Sequence, residues 1–337
     1  MTQRVLVTGG SGFIAGHCIQ VLQDQGFAVR ATARSPRPGF VAADLLSDEG
    51  WAAAASGCDY VLHVASPVRP GHVANEDDLI VPAVEGTLRV LRAAVDAGVK
   101  RVVLTSAFHA VGFGHPHTDH VFTEDDWSVM NGPGMDAYGR SKVLAERAAW
   151  EFAAREGLEL TTMLPVAVMG PVSGGSVSGG SVSAASVSGA NHIVQRMLAG
   201  EMPGFPDLHI PIVDVRDVAS AHVAALTAPG AAGERFLLAS GPVTPMREIG
   251  AVLRSHLGEA ASKVPTRNLP NVVVRLGAVF NPQLRAFAGE LGYVKQISNA
   301  KARRILDWTP RPSEQAIIAA GESLAVRLPA PPARNRR

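Results

Sequence analysis

The sequence predicts a doubly wound α/β fold, a mostly parallel sheet with helices on both faces. Two observations predict it. Short runs rich in β-branched residues alternate with longer segments of helical periodicity. The short runs are apolar nearly throughout, as strands covered on both faces must be, and the first is joined to the first helix by a glycine-rich turn.

Taken in order, strand Arg4–Thr8 is followed by a helix from about Gly12 to Gln25 and strand Phe27–Ala33. Next come strand Asp59–Val64, a helix through Val84–Ala97 and strand Arg101–Ser106. A helix over Ala137–Glu156 and strand Leu158–Leu164 complete a large N-terminal domain, residues 1–166. Beyond it, Ile210–Val213, a helix started by Asp217, strand Arg235–Ala239 and three helical patterns to about Val326 make a smaller part. It spans residues 167–328 and is interleaved with the first. Two segments break the alternation. Ser35-Pro36-Arg37-Pro38-Gly39 excludes a crossover helix between the second and third strands. The link either runs extended across the sheet edge or the third strand is vestigial. The Ser/Val/Gly repeat over residues 171–190 reads as a solvated insertion, with an active-site lid as the alternative. The proline-rich tail, residues 329–337, is expected to be disordered.

Composition narrows the function classes. The 337 residues are 47% hydrophobic and 18% charged, with a net charge of +1, so no strong field favours nucleic acid or a membrane surface. A small-molecule partner is expected, with the chain a monomer or homodimer. Cys18 and Cys58 lie forty residues apart and form no CxxC pair, which fits a reducing compartment. The N-terminus carries no signal-peptide pattern and no apolar run reaches the roughly 18 residues of a membrane span, so the expected location is cytoplasmic.

The turn after the first strand reads Thr8-Gly9-Gly10-Ser11-Gly12-Phe13-Ile14-Ala15. Gly9 permits a tight turn, Gly12 lets backbone approach a pyrophosphate, and Ala15 lets the helix pack closely on the strand. Such a helix N-terminus suits the phosphates of a dinucleotide. At the end of the second strand, where an acidic residue would select NAD, stands Arg34, with Arg37 and Arg30 nearby. A guanidinium suits a 2′-phosphate, so NADP(H) is the expected cofactor.

Tyr138 and Lys142 stand four residues apart on one helical face, where an ammonium can lower a phenol's pKa. Alone this spacing is weak. With the N-terminal turn, and with His63-Val-Ala-Ser-Pro67, Val103-Leu-Thr-Ser106, Tyr138-Gly-Arg-Ser-Lys142-Val-Leu-Ala-Glu146 and Val213-Asp-Val-Arg-Asp217, the chain resembles the extended short-chain dehydrogenases/reductases. Within them it is similar to the dihydroflavonol, cinnamoyl-CoA and methylglyoxal reductase branch. The resemblance implies that Asp44 and Leu45 lie at the adenine, that Val64, Ala65, Ser66 and Thr105 line the cofactor, and that Pro165 and Val166 abut the nicotinamide. It also implies hydride transfer to an aldehyde or ketone, with Tyr138 giving the proton and Lys142 holding the ribose. One departure stands out. Where the family carries a catalytic serine, this chain has Ala107, so either Ser106 takes that role or the carbonyl is polarised with a water or His109. Phe108, His109, Phe113 and Met169 are candidate substrate contacts. His109, His115, His117 and His120 lack a helical i, i+4 pair and lie among Gly and Pro, so no metal site is expected. Two rival readings remain on the sequence: a nucleotide-sugar epimerase or dehydratase, and a non-catalytic NADP sensor.

Overall fold

The computed structural model describes residues 2–67, 75–172, 189–280 and 288–326. The chain opens with β1 (Arg4–Val7), α1 (Phe13–Asp24), β2 (Ala28–Ala33) and β3 (Phe40–Ala42). It continues with α2 (Trp51–Ala55), β4 (Tyr60–His63), α3 (Asp77–Asp96) and β5 (Arg101–Thr105). A 3-10 turn at Phe108–Ala110 and the short β6 (Val121–Phe122) lead into α4 (Ala137–Glu156) and β7 (Glu159–Pro165). Then come β8 (Ala167–Met169), α5 (Asn191–Ala199), β9 (His209–Ile210), β10 (Ile212–Asp214), α6 (Val215–Thr227) and β11 (Arg235–Leu238). β12 (Thr244–Pro245), α7 (Met246–Leu257), α8 (Asn271–Phe280), β13 (Gln296–Ile297) and helices Ala300–Leu306 and Ser313–Ala325 follow. The Ser/Val/Gly repeat from 173 to 188 and the tail lie outside the described residues.

Seven strands form one parallel sheet in the order β11-β7-β5-β4-β1-β2-β3. Alternating strand side chains feed two cores. Val5, Val7, Leu62 and Val103 join α1 and α6 on one face, while Leu6, Val61, Val102 and Leu104 join α3 and α4 on the other. That is the physical content of the continuous apolar strands in the sequence. Chain order reverses between β1 and β4, and the carboxyl ends of these two strands flank the crevice where doubly wound sheets bind ligands. A third core, around Met169, Met197, Ile212 and Ile317, sits under β8, β10 and the C-terminal helices. α6 and β11 return to the large sheet and its core.

Several elements differ from the sequence reading for identifiable reasons. The link after β2 is not one of them: as expected it crosses the sheet edge without a helix, and it ends in the three residues of β3, paired with Ala31–Ala33. α3 starts earlier than expected, at Asp77, because Pro82 near its start forfeits only one backbone bond. Pro211 divides the expected strand Ile210–Val213 into β9 and β10. The expected N-cap Asp217 is corrected to Asp214, whose carboxylate accepts from the Arg216 amide at 2.8 Å. Asp217 lies in the first turn instead and takes the Arg311 amide at 2.7 Å. α4 begins and ends where expected, capped by Asp136 on the Gly139 amide at 2.7 Å and closed by left-handed Gly157.

Two buried histidines make stability depend on acidity. The Thr105 hydroxyl donates to His222 at 2.8 Å and His222 donates to the Val218 carbonyl, leaving no site for a second proton. Burial pushes His222 down to about 4 and His63 down to about 3. In the unfolded chain both take a proton below about 6.5. Their neutral, folded form is therefore favoured above that value, and stability falls as pH drops from 6.5 toward 4, by about 1.4 kcal/mol per unit for each histidine. Thermal melts at pH 7 and pH 5 are expected to show a clearly lower Tm at pH 5, and equal values would contradict these assignments.

A second expectation concerns the ion pair of Arg235 and Glu146, 2.8 Å apart and nearly excluded from solvent. Replacing Arg235 by Met strands a buried carboxylate and is expected to cost about 3–5 kcal/mol in urea unfolding. Adding Glu146→Gln to that variant should recover part of the loss.

Candidate active site

The turn after β1 is shaped by close approach. Gly9 has φ of +64°, and a Cβ there would stand 3.1 Å from Ala65. The Gly12 amide donates to the Gly9 carbonyl at 2.8 Å, and Phe13 opens α1 directly after it. Ser11 and Gly12 are exposed, Phe13 and Ile14 are partly buried, and Ala15 is fully buried against the sheet. Gly10 was not singled out in the sequence, yet a Cβ on it would meet Ala31 at 2.7 Å and the Phe40 ring at 2.8 Å. The doubled glycine was the available signal.

One buried hydroxyl joins the two strands at the crevice. The Ala65 amide donates to Thr8 Oγ1 at 3.0 Å, and Thr8 in turn donates to His63 Nδ1 at 2.8 Å. This fixes Val64, Ala65 and Ser66 beside Gly9. His63 was quoted in the sequence only as part of a motif, because its partner lies 55 residues away. Its Nε2 is buried without a hydrogen-bond partner.

At the far edge, Arg34 directly follows β2 and is exposed to solvent. Arg30 is not available beside it, since its guanidinium is spent on the Ala53, Ala54 and Ser56 carbonyls at the end of α2. Arg37 lies over the Phe40 ring instead, 6.0 Å from its centre. Asp44 and Leu45 follow β3. Asp44 accepts from the Leu46 amide at 3.0 Å, and the Leu45 carbonyl is held by Arg89 at 3.0 Å. Pro165 and Val166 end β7, with the Val166 amide on the Leu238 carbonyl.

Tyr138 and Lys142 stand one turn apart on α4. Lys142 is buried, and its ammonium donates to Ser66 Oγ at 3.0 Å. It lies 5.7 Å from the centre of the Tyr138 ring. Burial lowers Lys142 to about 8, while the Glu146 carboxylate one turn further opposes that shift. Burial, with the Asp136 carboxylate, pushes the Tyr138 phenol up to about 12. The expectation that Lys142 lowers the phenol's pKa is therefore corrected: with the ammonium turned to Ser66, desolvation of phenolate dominates.

The end of β5 corrects a further expectation. Thr105 is committed to His222. Ser106 donates to Glu146 Oε2 at 2.6 Å, so its proton is spent on that carboxylate rather than free for a substrate carbonyl. Ala107 carries no donor. Phe108 and Met169 are core side chains with 2% and 0% exposure, which leaves them no surface to offer a substrate. Phe113 and His109 remain partly exposed, stacked 4.1 Å apart, with the His109 ring edge-on to Tyr138 at 4.9 Å. The neighbouring histidines go elsewhere: His115 to the Val111 carbonyl, His117 to the Gly289 carbonyl and His120 to Asp126. No cluster able to hold a metal ion occurs among the described residues, nor any helix long and apolar enough to cross a membrane.

Comparison with known proteins identifies the family. Residues 5–239 match the NAD dependent epimerase/dehydratase family. Cinnamoyl-CoA reductase 1 of Oryza sativa subsp. japonica is 37% identical over 254 residues, covering 70% of each chain. Ketoreductase azaE of Aspergillus niger is 31% identical over 303 residues, 80% of this chain and 87% of its own. Among solved structures, Gre2 of Candida albicans in complex with NADPH is 25% identical with a TM-score of 0.75, over 96% of this chain and 99% of its own. The chain therefore belongs to the NAD dependent epimerase/dehydratase family, on the branch of its cinnamoyl-CoA reductase-like members.

Proposed function

We propose that this chain is an NADPH-dependent reductase of aldehydes or ketones. The observation that carries the reading is the placement of Tyr138 and Lys142 on one face of α4, with Lys142 bonded to Ser66 at the crevice between β1 and β4. Its relatives include a cinnamoyl-CoA reductase and a ketoreductase by name.

The residues present fit a dinucleotide. The Gly9–Gly12 turn has no room for side chains at Gly9 and Gly10, and the exposed first amides of α1 suit a pyrophosphate. Thr8, Gly9, Ser11, Gly12, Phe13 and Ile14 would hold it, Arg34 the 2′-phosphate, and Asp44 and Leu45 the adenine. Val64, Ala65, Ser66, Thr105, Pro165 and Val166 would line the nicotinamide half, and the part beyond residue 166 would take the substrate. NADPH, when bound, supplies the hydride. Tyr138 gives a proton to the carbonyl oxygen. Its raised pKa keeps the phenol protonated at neutral pH, the form needed for reduction, and an alkoxide is a strong enough base to take that proton. Lys142, charged at neutral pH with Glu146 behind it, is the donor for a ribose hydroxyl. Arg34, in the place of an acidic residue, speaks against an epimerase with tightly held NAD. The retained Tyr138 and Lys142 speak against a sensor without chemistry.

Purified protein is expected to oxidise NADPH with at least one member of a panel of aldehydes, ketones and flavanonols, and Tyr138→Phe to abolish turnover while leaving NADPH binding nearly intact. Loss of binding in that variant would remove the role given to the phenol. Arg34→Ala is expected to raise the Kd for NADPH roughly 10- to 100-fold, the loss of one charge-assisted phosphate contact, with NADH binding little changed. Equal weakening of both cofactors in a titration by protein fluorescence would place Arg34 outside the phosphate site.

A further inference from the structure

Reduction of a carbonyl builds negative charge on oxygen, and a site that offers a second fixed donor beside the proton donor stabilises that charge. The usual place for one is bare here. Both hydroxyls at the end of β5 are spent, Thr105 on His222 and Ser106 on Glu146, and Ala107 has none. Two residues on, within the 3-10 turn, His109 is partly exposed beside Tyr138, its ring edge-on at 4.9 Å. No described residue accepts or donates a hydrogen bond at its ring nitrogens, in contrast to His115, His117 and His120.

We propose that His109 is the second hydrogen-bond donor to the substrate's carbonyl oxygen, in the place that Ala107 leaves empty of a donor; this rests on the reductase reading above. The ring is held for that task. Phe113 stacks on one face at 4.1 Å with an interplanar angle of 9°, and Lys295 lies 4.4 Å from the centre of the Phe113 ring. The His109 ring nitrogens are not among the fully buried atoms left without a partner, unlike His63 Nε2. The protonation state also suits. Burial lowers His109 to about 4, the Lys295 and Lys142 cations act in the same direction, and Asp136 opposes them. At neutral pH the ring is an uncharged imidazole with one N–H, which can polarise a carbonyl without competing with Tyr138 to protonate it.

The balance of the step is simple. A C–H bond forms at the carbonyl carbon with hydride from the reduced nicotinamide, which becomes oxidised. The π pair moves to oxygen, and the Tyr138 O–H proton is transferred to it. His109 transfers nothing and only donates a hydrogen bond as the charge grows.

The test is a rescue. His109→Phe keeps an aromatic ring on Phe113 and removes the donor. Its kcat with an aldehyde accepted by the wild type is expected to fall roughly 10²- to 10³-fold, the effect of losing one such donor, while the NADPH Kd and Tm stay close to wild type. Adding Ala107→Ser supplies a hydroxyl near the same oxygen and is expected to restore at least tenfold of the loss. A single variant within about threefold of wild type, or a loss that Ala107→Ser does not relieve, overturns the role of His109 and leaves the reductase reading standing. Wild-type protein inert toward every carbonyl overturns both.

Discussion

The arrangement of this site depends on one buried carboxylate. Glu146 follows Tyr138 and Lys142 at the same four-residue spacing, and it faces the sheet. It accepts Ser106 from the end of β5 at 2.6 Å, Thr162 from β7 at 2.8 Å and Arg235 from β11 at 2.8 Å. Arg235 is itself fixed by the Glu124 and Asp126 carbonyls and lies over the Trp127 ring, 3.8 Å from its centre. A charge buried this deeply is tolerable only with its partners in place, so α4 has one favourable register on the sheet. A shift of one residue along the helix would carry Glu146 away from all three strands. Tyr138 and Lys142 are thus positioned by a residue one turn further along the same helix.

The cofactor side has its own constraint, and it is steric. Gly9 lies close against Ala65 and Gly10 against Ala31 and the Phe40 ring, while Thr8 accepts the Ala65 amide after β4 and donates to His63. The two constraints meet at Ser66, which follows Ala65 in the chain and receives Lys142. Packing at the crevice therefore sets where the ammonium goes, and through it where the phenol stands. The residues that do this lie on three elements far apart in sequence, which is why small changes at Thr8 or Ala65 would be felt at α4.

Much of this was legible in the sequence because it is local. The apolar strands, the glycine turn and the Tyr138/Lys142 spacing each rest on neighbours within one element, and α4 fell where its pattern predicted. What was not legible depends on partners brought together by the fold. The direction of Ser106 follows from Glu146 on another element, and the burial of Phe108 and Met169 from packing by distant helices. The direction of the Tyr138 shift was misread for the same reason. Sequence spacing gives the nearness of Lys142 but not the depth of burial or the competing Ser66, and desolvation outweighs a charge that points elsewhere.

The charges around Tyr138 are of both signs, and the Asp136 carboxylate acts on the phenol and on His109. Lys142 has Glu146 behind it, Lys295 is bonded to Glu290, and Arg140 on the outer side of α4 is bonded to Glu76. His109 is neutral and the phenol is neutral. The low polarity of such a cleft strengthens any hydrogen bond made inside it. The demand for charge arises only when the carbonyl oxygen becomes an alkoxide, so the groups beside Tyr138 matter most at that moment. Neutral donors held rigidly then serve better than a cation, which would cost desolvation throughout the cycle and hold a bound product alkoxide against protonation.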